Sequence, residues 1–166
     1  MRRPLVAVLL GTDHHAFDRL VALAESASET MNADWFVQHG YSTRPTLLPA
    51  SPMLAVDELQ DLLLRARAVV THGGPGLIME ARAAGHVPVV VPRDPALHEH
   101  VDGHQLRFTE RIARDGLIRR ATTREEFDAA LARALTTIPR QRSANATPSY
   151  SSARIGTLVD ALRGDA

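Results

Sequence analysis

Short apolar runs alternate along the chain with stretches whose apolar residues recur every three or four positions. Leu5 to Leu10 is continuously apolar and stops at Gly11, the pattern of a strand covered on both faces. Phe17, Leu20, Val21, Leu23 and Ala24 then follow helical spacing, and Trp35 to Gln38 reads as a second strand closed by His39-Gly40. Ser51-Pro52, in cap-then-proline order, predicts the start of a helix whose stripe is Leu59, Leu62 and Leu63. Ala68 to Thr71 predicts a third strand, Leu77 to Ala84 a helix capped by Gly85, and Val87 to Val91 a fourth strand stopped by Pro92. Leu106, Phe108, Ile112 and Ala113 mark a further helix ending at Asp115-Gly116, and Leu117-Ile118 is expected as a short edge strand. Thr123 with Glu126 is a capping-box signature for a helix through Leu135.

This alternation predicts an α/β fold with one parallel sheet and right-handed crossovers. Ligands of such sheets bind beyond the carboxyl ends of the strands. Residues 1–137 are read as the domain and 138–152, rich in Pro, Ser, Asn and Thr, as a linker. Residues 153–166 are read as an amphipathic helix with Ile155, Leu158, Val159 and Leu162 on one face.

Composition narrows the function classes. The 166 residues fit one domain with a tail, and 45% hydrophobic content supplies an ordinary core. The absence of Cys excludes disulfide scaffolds and thiol chemistry. All 19 basic residues are Arg, balanced by 19 acids, which argues against nucleic acid as a partner. No apolar run is long enough to span a bilayer, and Pro4 to Leu10 is too short for a signal peptide, so a cytoplasmic location is expected. Acids dominate residues 13–61 and Arg dominates 107–142, either as solvated helix faces or as a basic side for an anionic membrane or acidic partner.

Three strand-to-helix loops carry the candidate chemistry. In Gly11-Thr12-Asp13-His14-His15, a Gly just after a strand lets backbone amides approach an anion, and Thr12 offers a hydroxyl. In His72-Gly73-Gly74-Pro75-Gly76, three Gly between strand and helix form a phosphate-cradle candidate. It is neither a Gly-x-Gly-x-x-Gly fingerprint nor a P-loop. Glu80, inside the helix that follows, is placed to accept both hydroxyls of a ribose. The third loop runs from Pro92-Arg93 to His98-Glu99-His100-Val101-Asp102-Gly103-His104-Gln105. His100 and His104 have metal-ligand spacing if helical. Alternatively Glu99, His104 and Gln105 bind a polyhydroxylated ligand, or Asp102 caps the next helix. No metal is expected there.

The string Val70 to Gly76, then Glu80, Val89-Val90-Val91-Pro92-Arg93 and Glu99 to Gln105, resembles the C-terminal domain of family 28 glycosyltransferases. Gly11-Thr12, Phe17-Asp18-Arg19-Leu20 and Val37 to Ser42 also match, so the resemblance covers residues 4 to about 118. Within the family it is most similar to the small catalytic subunits of two-component transferases. Those include exopolysaccharide and capsule transferases and the subunit adding the second N-acetylglucosamine in dolichol-linked glycan assembly. The resemblance implies a Rossmann-like sheet equivalent to the C-terminal, donor-binding half of a GT-B enzyme. It implies that His72, Gly73, Gly74 and Gly76 hold the diphosphate of a UDP-sugar, with Gly11 and Thr12 facing it from the other side. Glu80 would bind the ribose, and Glu99 and Gln105 would face the donor sugar; Arg93 and His104 are also expected among the donor-binding residues. Many relatives have His-Glu-Gln after Gly-Thr, where this chain has Asp13-His14-His15.

The expected reaction is metal-independent, inverting transfer from the UDP-sugar to a lipid-linked acceptor in cell-surface polysaccharide synthesis. His72 would stabilise the leaving diphosphate, and His14 or His15 is the candidate general base. A GT-B enzyme needs two such domains, so a membrane-anchored acceptor-binding partner subunit is expected. It would hold this chain peripherally at the inner face of the plasma membrane. The alternatives are a non-catalytic nucleotide-sugar-binding regulatory module and an epimerase-like protein.

Overall fold

Val6 to Leu9 of the first strand are all buried because both faces of the sheet are covered. In the computed structural model, which describes residues 2–138, β1 (Leu5–Leu9) lies at the centre. Val6, Val8 and Leu10 pack under α1 (Asp18–Ser28) and α5 (Arg124–Thr136), against Phe17, Leu20, Phe127 and Leu131. Ala7 and Leu9 point the other way, to α2 (Val56–Arg65) and α3 (Pro75–Ala83), against Leu63 and Ala81. Fully burying one Val, Leu or Phe contributes about 1.5–3 kcal/mol, so this two-sided core is the main source of stability.

The remaining strands are β2 (Asp34–Gln38), β3 (Ala50–Ser51), β4 (Ala68–His72), β5 (Val89–Val91) and β6 (Arg119–Arg120). All pair in parallel in the order β3-β2-β1-β4-β5-β6. The order reverses between β1 and β4, so their two following loops diverge to opposite faces and leave a crevice at the carboxyl edge. A short 3-10 turn (Pro95–Leu97) and α4 (His104–Arg114) follow β5, and α4 closes the second face through Phe108 and Ile112 on Ile78 and Val90.

Two expectations are corrected. Ser51 does not cap a helix. It pairs with Gln38 as part of β3, and α2 begins at Val56, where the Glu58 carboxylate accepts the Ala55 N–H at 2.7 Å. The edge strand is Arg119–Arg120 and not Leu117-Ile118. Leu117 and Ile118 are drawn into the core under α4, while Arg119 N donates to Pro88 O and Ala121 N to Val90 O. Charged side chains on such an edge discourage further strand pairing.

Among the described residues of the Arg-rich stretch, Arg114 pairs with Glu110 and Arg124 with Asp128, each one turn apart, while Arg119 and Arg120 are half-buried. Among the described residues no helix is long and apolar enough to cross a membrane. The linker from residue 139 onward and the expected helix over 153–166 lie outside the described residues.

Candidate functional site

The loops after β1, β4 and β5 meet at the carboxyl edge, as the alternation predicts. The loop after β4 is shaped around one imidazole. His72 Nδ1 accepts the Gly74 N–H at 3.0 Å and lies 3.3 Å from the Gln105 amide nitrogen. With Nδ1 occupied as an acceptor, the ring carries its proton on Nε2. Burial, and then the nearby Arg93 charge, push the His72 imidazole down to about 4, so near neutral pH it is an uncharged N–H donor. Gly74 is required by this arrangement, since a Cβ there would lie 2.1 Å from His72 Cε1.

Gly74 is also the N-cap of α3 and Pro75 its first residue, a position suited to a residue without an N–H. No side chain caps this helix. The Gly76 and Leu77 amides therefore stand at the helix start as donors without intrahelical partners. A Cβ on Gly76 would meet nothing within 4 Å, so the space beside Gly76 at the helix start is open. Glu80, one turn later, is exposed on the same face of α3 as Gly76. A helical turn advances 5.4 Å, which lets one ligand bridge the amides and the carboxylate.

Opposite His72 lies Gly11, in the left-handed region at φ 81°. Its N–H is not available to an anion, contrary to expectation: the buried Gln38 side chain accepts it at 3.0 Å and donates back to Gly11 O at 2.9 Å. The donor this loop leaves exposed is the Thr12 hydroxyl. Gly73 is likewise committed to the fold. Its N–H goes to Gln105 Oε1 at 3.0 Å, and a Cβ would lie 2.9 Å from Gln105 Cβ.

Three residues expected to bind the donor, Glu99, Gln105 and Arg93, are turned inward. Glu99 is buried and accepts a two-pronged hydrogen bond from Arg19, at 2.8 and 2.7 Å, and the Asp94 N–H at 2.9 Å. Gln105 is buried, its Oε1 accepting from both Gly73 N and Arg93 N at 3.0 Å. Arg93 is 1% exposed, donating to Leu10 O, His15 O and Glu99 O, with its guanidinium 4.8 Å from the centre of the Phe17 ring. Of their polar atoms only Arg93 Nε is buried without a hydrogen-bond partner, and turning any of these side chains outward would strand a buried partner at a cost of about 1–3 kcal/mol. These residues fix the loops. His104 stays at the rim, half-buried at the first turn of α4.

The spaced pair His100 and His104 is not brought together as a pair, because Asp102 takes the His104 N–H at 2.8 Å and His100 turns toward the first loop. There Asp13 is the residue that sequence reasoning passed over. Its Oδ1 accepts from His15 Nδ1 at 2.6 Å and from His15 N at 2.8 Å. The i, i+2 spacing of an Asp and its backbone donor was the available signal. Burial works to raise the Asp13 carboxyl, but the His15 hydrogen bonds and the Arg93 charge outweigh it and hold the carboxyl below its usual range. His15 Nε2 is then the ring nitrogen turned away from the carboxylate, whereas His14 is exposed, its ring 4.1 Å from that of His15 and tilted by 36°.

The model of the glycosyltransferase family 28 C-terminal domain matches residues 6–155. The chain belongs to this family. No curated protein matches this family 28 chain. Solved structures share its fold at low identity. The glycosyltransferase of kitacinnamycin aligns with a TM-score of 0.61 at 18% identity, over 98% of this chain and 40% of its own. SnogD, a glycosyltransferase from Streptomyces nogalater, aligns at 0.56 and 21%, over 96% and 44%. MurG of Acinetobacter baumannii aligns at 0.52 and 16%, over 95% and 50%. The chain thus spans half or less of the length of these structures and has the fold of the C-terminal half of a GT-B glycosyltransferase.

Proposed function

We propose that this family 28 domain is the UDP-sugar-binding, catalytic subunit of a two-component inverting glycosyltransferase. It would transfer a hexosyl or N-acetylhexosaminyl group to a lipid-linked acceptor in cell-surface polysaccharide synthesis. The observation that carries the reading is the exposed face of α3. Amides without intrahelical partners at Gly76 and Leu77 lie one turn from Glu80, beside an imidazole held as an Nε2–H donor. That arrangement suits a diphosphate joined to a ribose.

The residues then take distinct parts. The α3 amides and His72 Nε2–H stabilise charge on the leaving diphosphate, with the Thr12 hydroxyl approaching from the other side and no metal required. Glu80 accepts the ribose hydroxyls, and His104 faces the sugar from the third loop. The acceptor hydroxyl attacks the anomeric carbon as the bond to the diphosphate oxygen breaks, and its proton passes to His15 Nε2. Asp13 stabilises the imidazolium so formed. Direct displacement inverts the anomeric centre. The acceptor would be held by a membrane-anchored partner subunit. That partner would keep the chain on the cytoplasmic side, at the inner face of the plasma membrane.

Calorimetry of the chain with UDP, UDP-glucose, UDP-N-acetylglucosamine and dTDP tests the donor reading. Uridine compounds should bind best, with millimolar to micromolar affinity, about 4–8 kcal/mol. Binding by none of them would remove it. A transfer assay with polyprenyl-linked acceptors, with and without the partner, tests the second half, and full turnover by this chain alone would rule out the need for a partner.

A further inference from the structure

Seven of the eight histidines, all but His86, lie on a strand end, on loops or at a helix start at the carboxyl edge of the sheet. Three of them converge on one carboxylate. The ligand atoms of Asp13, His14 and His15 lie within 4.8 Å of one another. From the third loop His100 reaches the same group, its Nε2 standing 3.6 Å from Asp13 Oδ2, with its ring 5.8 Å from that of His15. The gap from His100 to Asp13 is too long for a direct hydrogen bond. It is close to the spacing of about 3.3 Å between ligand atoms in a tetrahedral site with bonds of about 2.0 Å. On the far side of His100, Nδ1 lies 3.4 Å from Asp102 N, which donates to it, and 3.6 Å from Asp102 Oδ1, so Asp102 holds the ring beside the first loop.

We propose that Asp13, His14, His15 and His100 form a binding site for one zinc-like divalent transition metal, separate from the α3 amides and from Glu80. Three imidazoles and one carboxylate are a borderline donor set that suits Zn²⁺, Co²⁺ or Ni²⁺ and not Mg²⁺ or Ca²⁺. Two loops supply the ligands, so the metal would tie the first loop to the third. Binding closes the first-loop ligand atoms, now up to 4.8 Å apart, by up to about 1.5 Å and brings His100 in toward His14 and His15, movements that side-chain rotation of the exposed His14 and half-buried His100 supplies. Occupancy engages the imidazole assigned above as the base, so the metal opposes transfer. That clause rests on the proposed function, whereas metal binding itself does not.

The test is equilibrium dialysis of the full, tag-free chain against Zn²⁺, with metal counted per folded chain, followed by Co²⁺ substitution and its visible spectrum. One Zn²⁺ per chain and the intense bands of tetrahedral Co²⁺ are expected. His100→Ala and, separately, the surface change His14→Ala should each weaken binding at least about tenfold. His98→Ala, which alters an exposed histidine outside the cluster, should leave it unchanged. Circular dichroism establishes that each variant is folded. No stoichiometric Zn²⁺, an octahedral Co²⁺ spectrum, or equal weakening by His98→Ala would each overturn the site. UDP calorimetry on the metal-free chain reads the donor site independently, so failure of one leaves the other standing.

Discussion

Gly11 and His72 face each other across the switch point of the sheet, so closely that a Cβ on Gly11 would stand 2.5 Å from His72 Nε2. The glycine is held at a positive φ by the Gln38 amide and leaves the imidazole just enough room. Gly11→Ala strains the backbone and displaces the ring together. It should lower stability by about 1–3 kcal/mol and weaken UDP binding, read by urea unfolding and calorimetry. Unchanged UDP affinity in a folded variant would show that His72 Nε2 is not aimed at the ligand.

Glu80 separates binding from folding. It is exposed, and its removal strands no buried group. Glu80→Gln should leave stability within about 0.5 kcal/mol of the parent. It should weaken UDP by at least about tenfold through loss of charge-assisted bonds worth about 1.5–3 kcal/mol. A melting curve that collapses while affinity holds would make Glu80 structural.

The Asp13–His15 pair has the opposite signature. Asp13→Asn keeps the side-chain shape but removes the charge behind the imidazole. In the assembled enzyme kcat should fall, and His15→Ala should lower it by about 10²–10⁴, the usual contribution of a general base. UDP affinity should stay near the parent value in both. A kcat that survives His15→Ala would move the base to the partner.

Arg93 offers a stability test. Arg93→Met leaves the carbonyls of Leu10, His15 and Glu99 without their donor. Removing one member of such a buried charged network costs about 3–5 kcal/mol. Denaturant midpoints should therefore fall far more than for exposed Arg107→Met, and equal effects would show that the clamp contributes little.

Acid should loosen the fold before it protonates the carboxylates. The imidazole of His72 moves from an ordinary 6.5 to about 4 on folding. Between these values the unfolded chain takes up a proton that the folded chain refuses, so stability declines as pH falls through this window and is flat above it. His86, lowered by burial as well, acts in the same direction. Urea unfolding from pH 7.5 to 4.5 should show this slope, and His72→Gln should make it shallower. An identical slope in that variant would mean that His72 titrates normally.

The longer elements were legible because periodicity and glycine stops agree along them. The Leu5–Leu9 strand and the Thr123–Glu126 cap appear where the pattern places them. The two-residue strands were not, since Ala50–Ser51 and Arg119–Arg120 are too short to carry a period and exist only through their neighbours. Likewise the loops were located correctly but not the direction of their side chains. Glu99 and Gln105 look ligand-facing in sequence, yet Arg19, 80 positions from Glu99, and two distant backbone amides turn them inward. Such long-range partners leave no local trace. Gly76 and Glu80 kept their expected outward face because both lie on one stripe of a single helix.

Because one guanidinium, that of Arg93, grips the first and third loops at once, the rim cannot be re-engineered one segment at a time. A transplanted loop from a relative would arrive without the carbonyl positions that this cation requires. Changes to the rim belong instead at the exposed positions Thr12 and Gly76 and the half-buried His104, where a library leaves the keystone undisturbed.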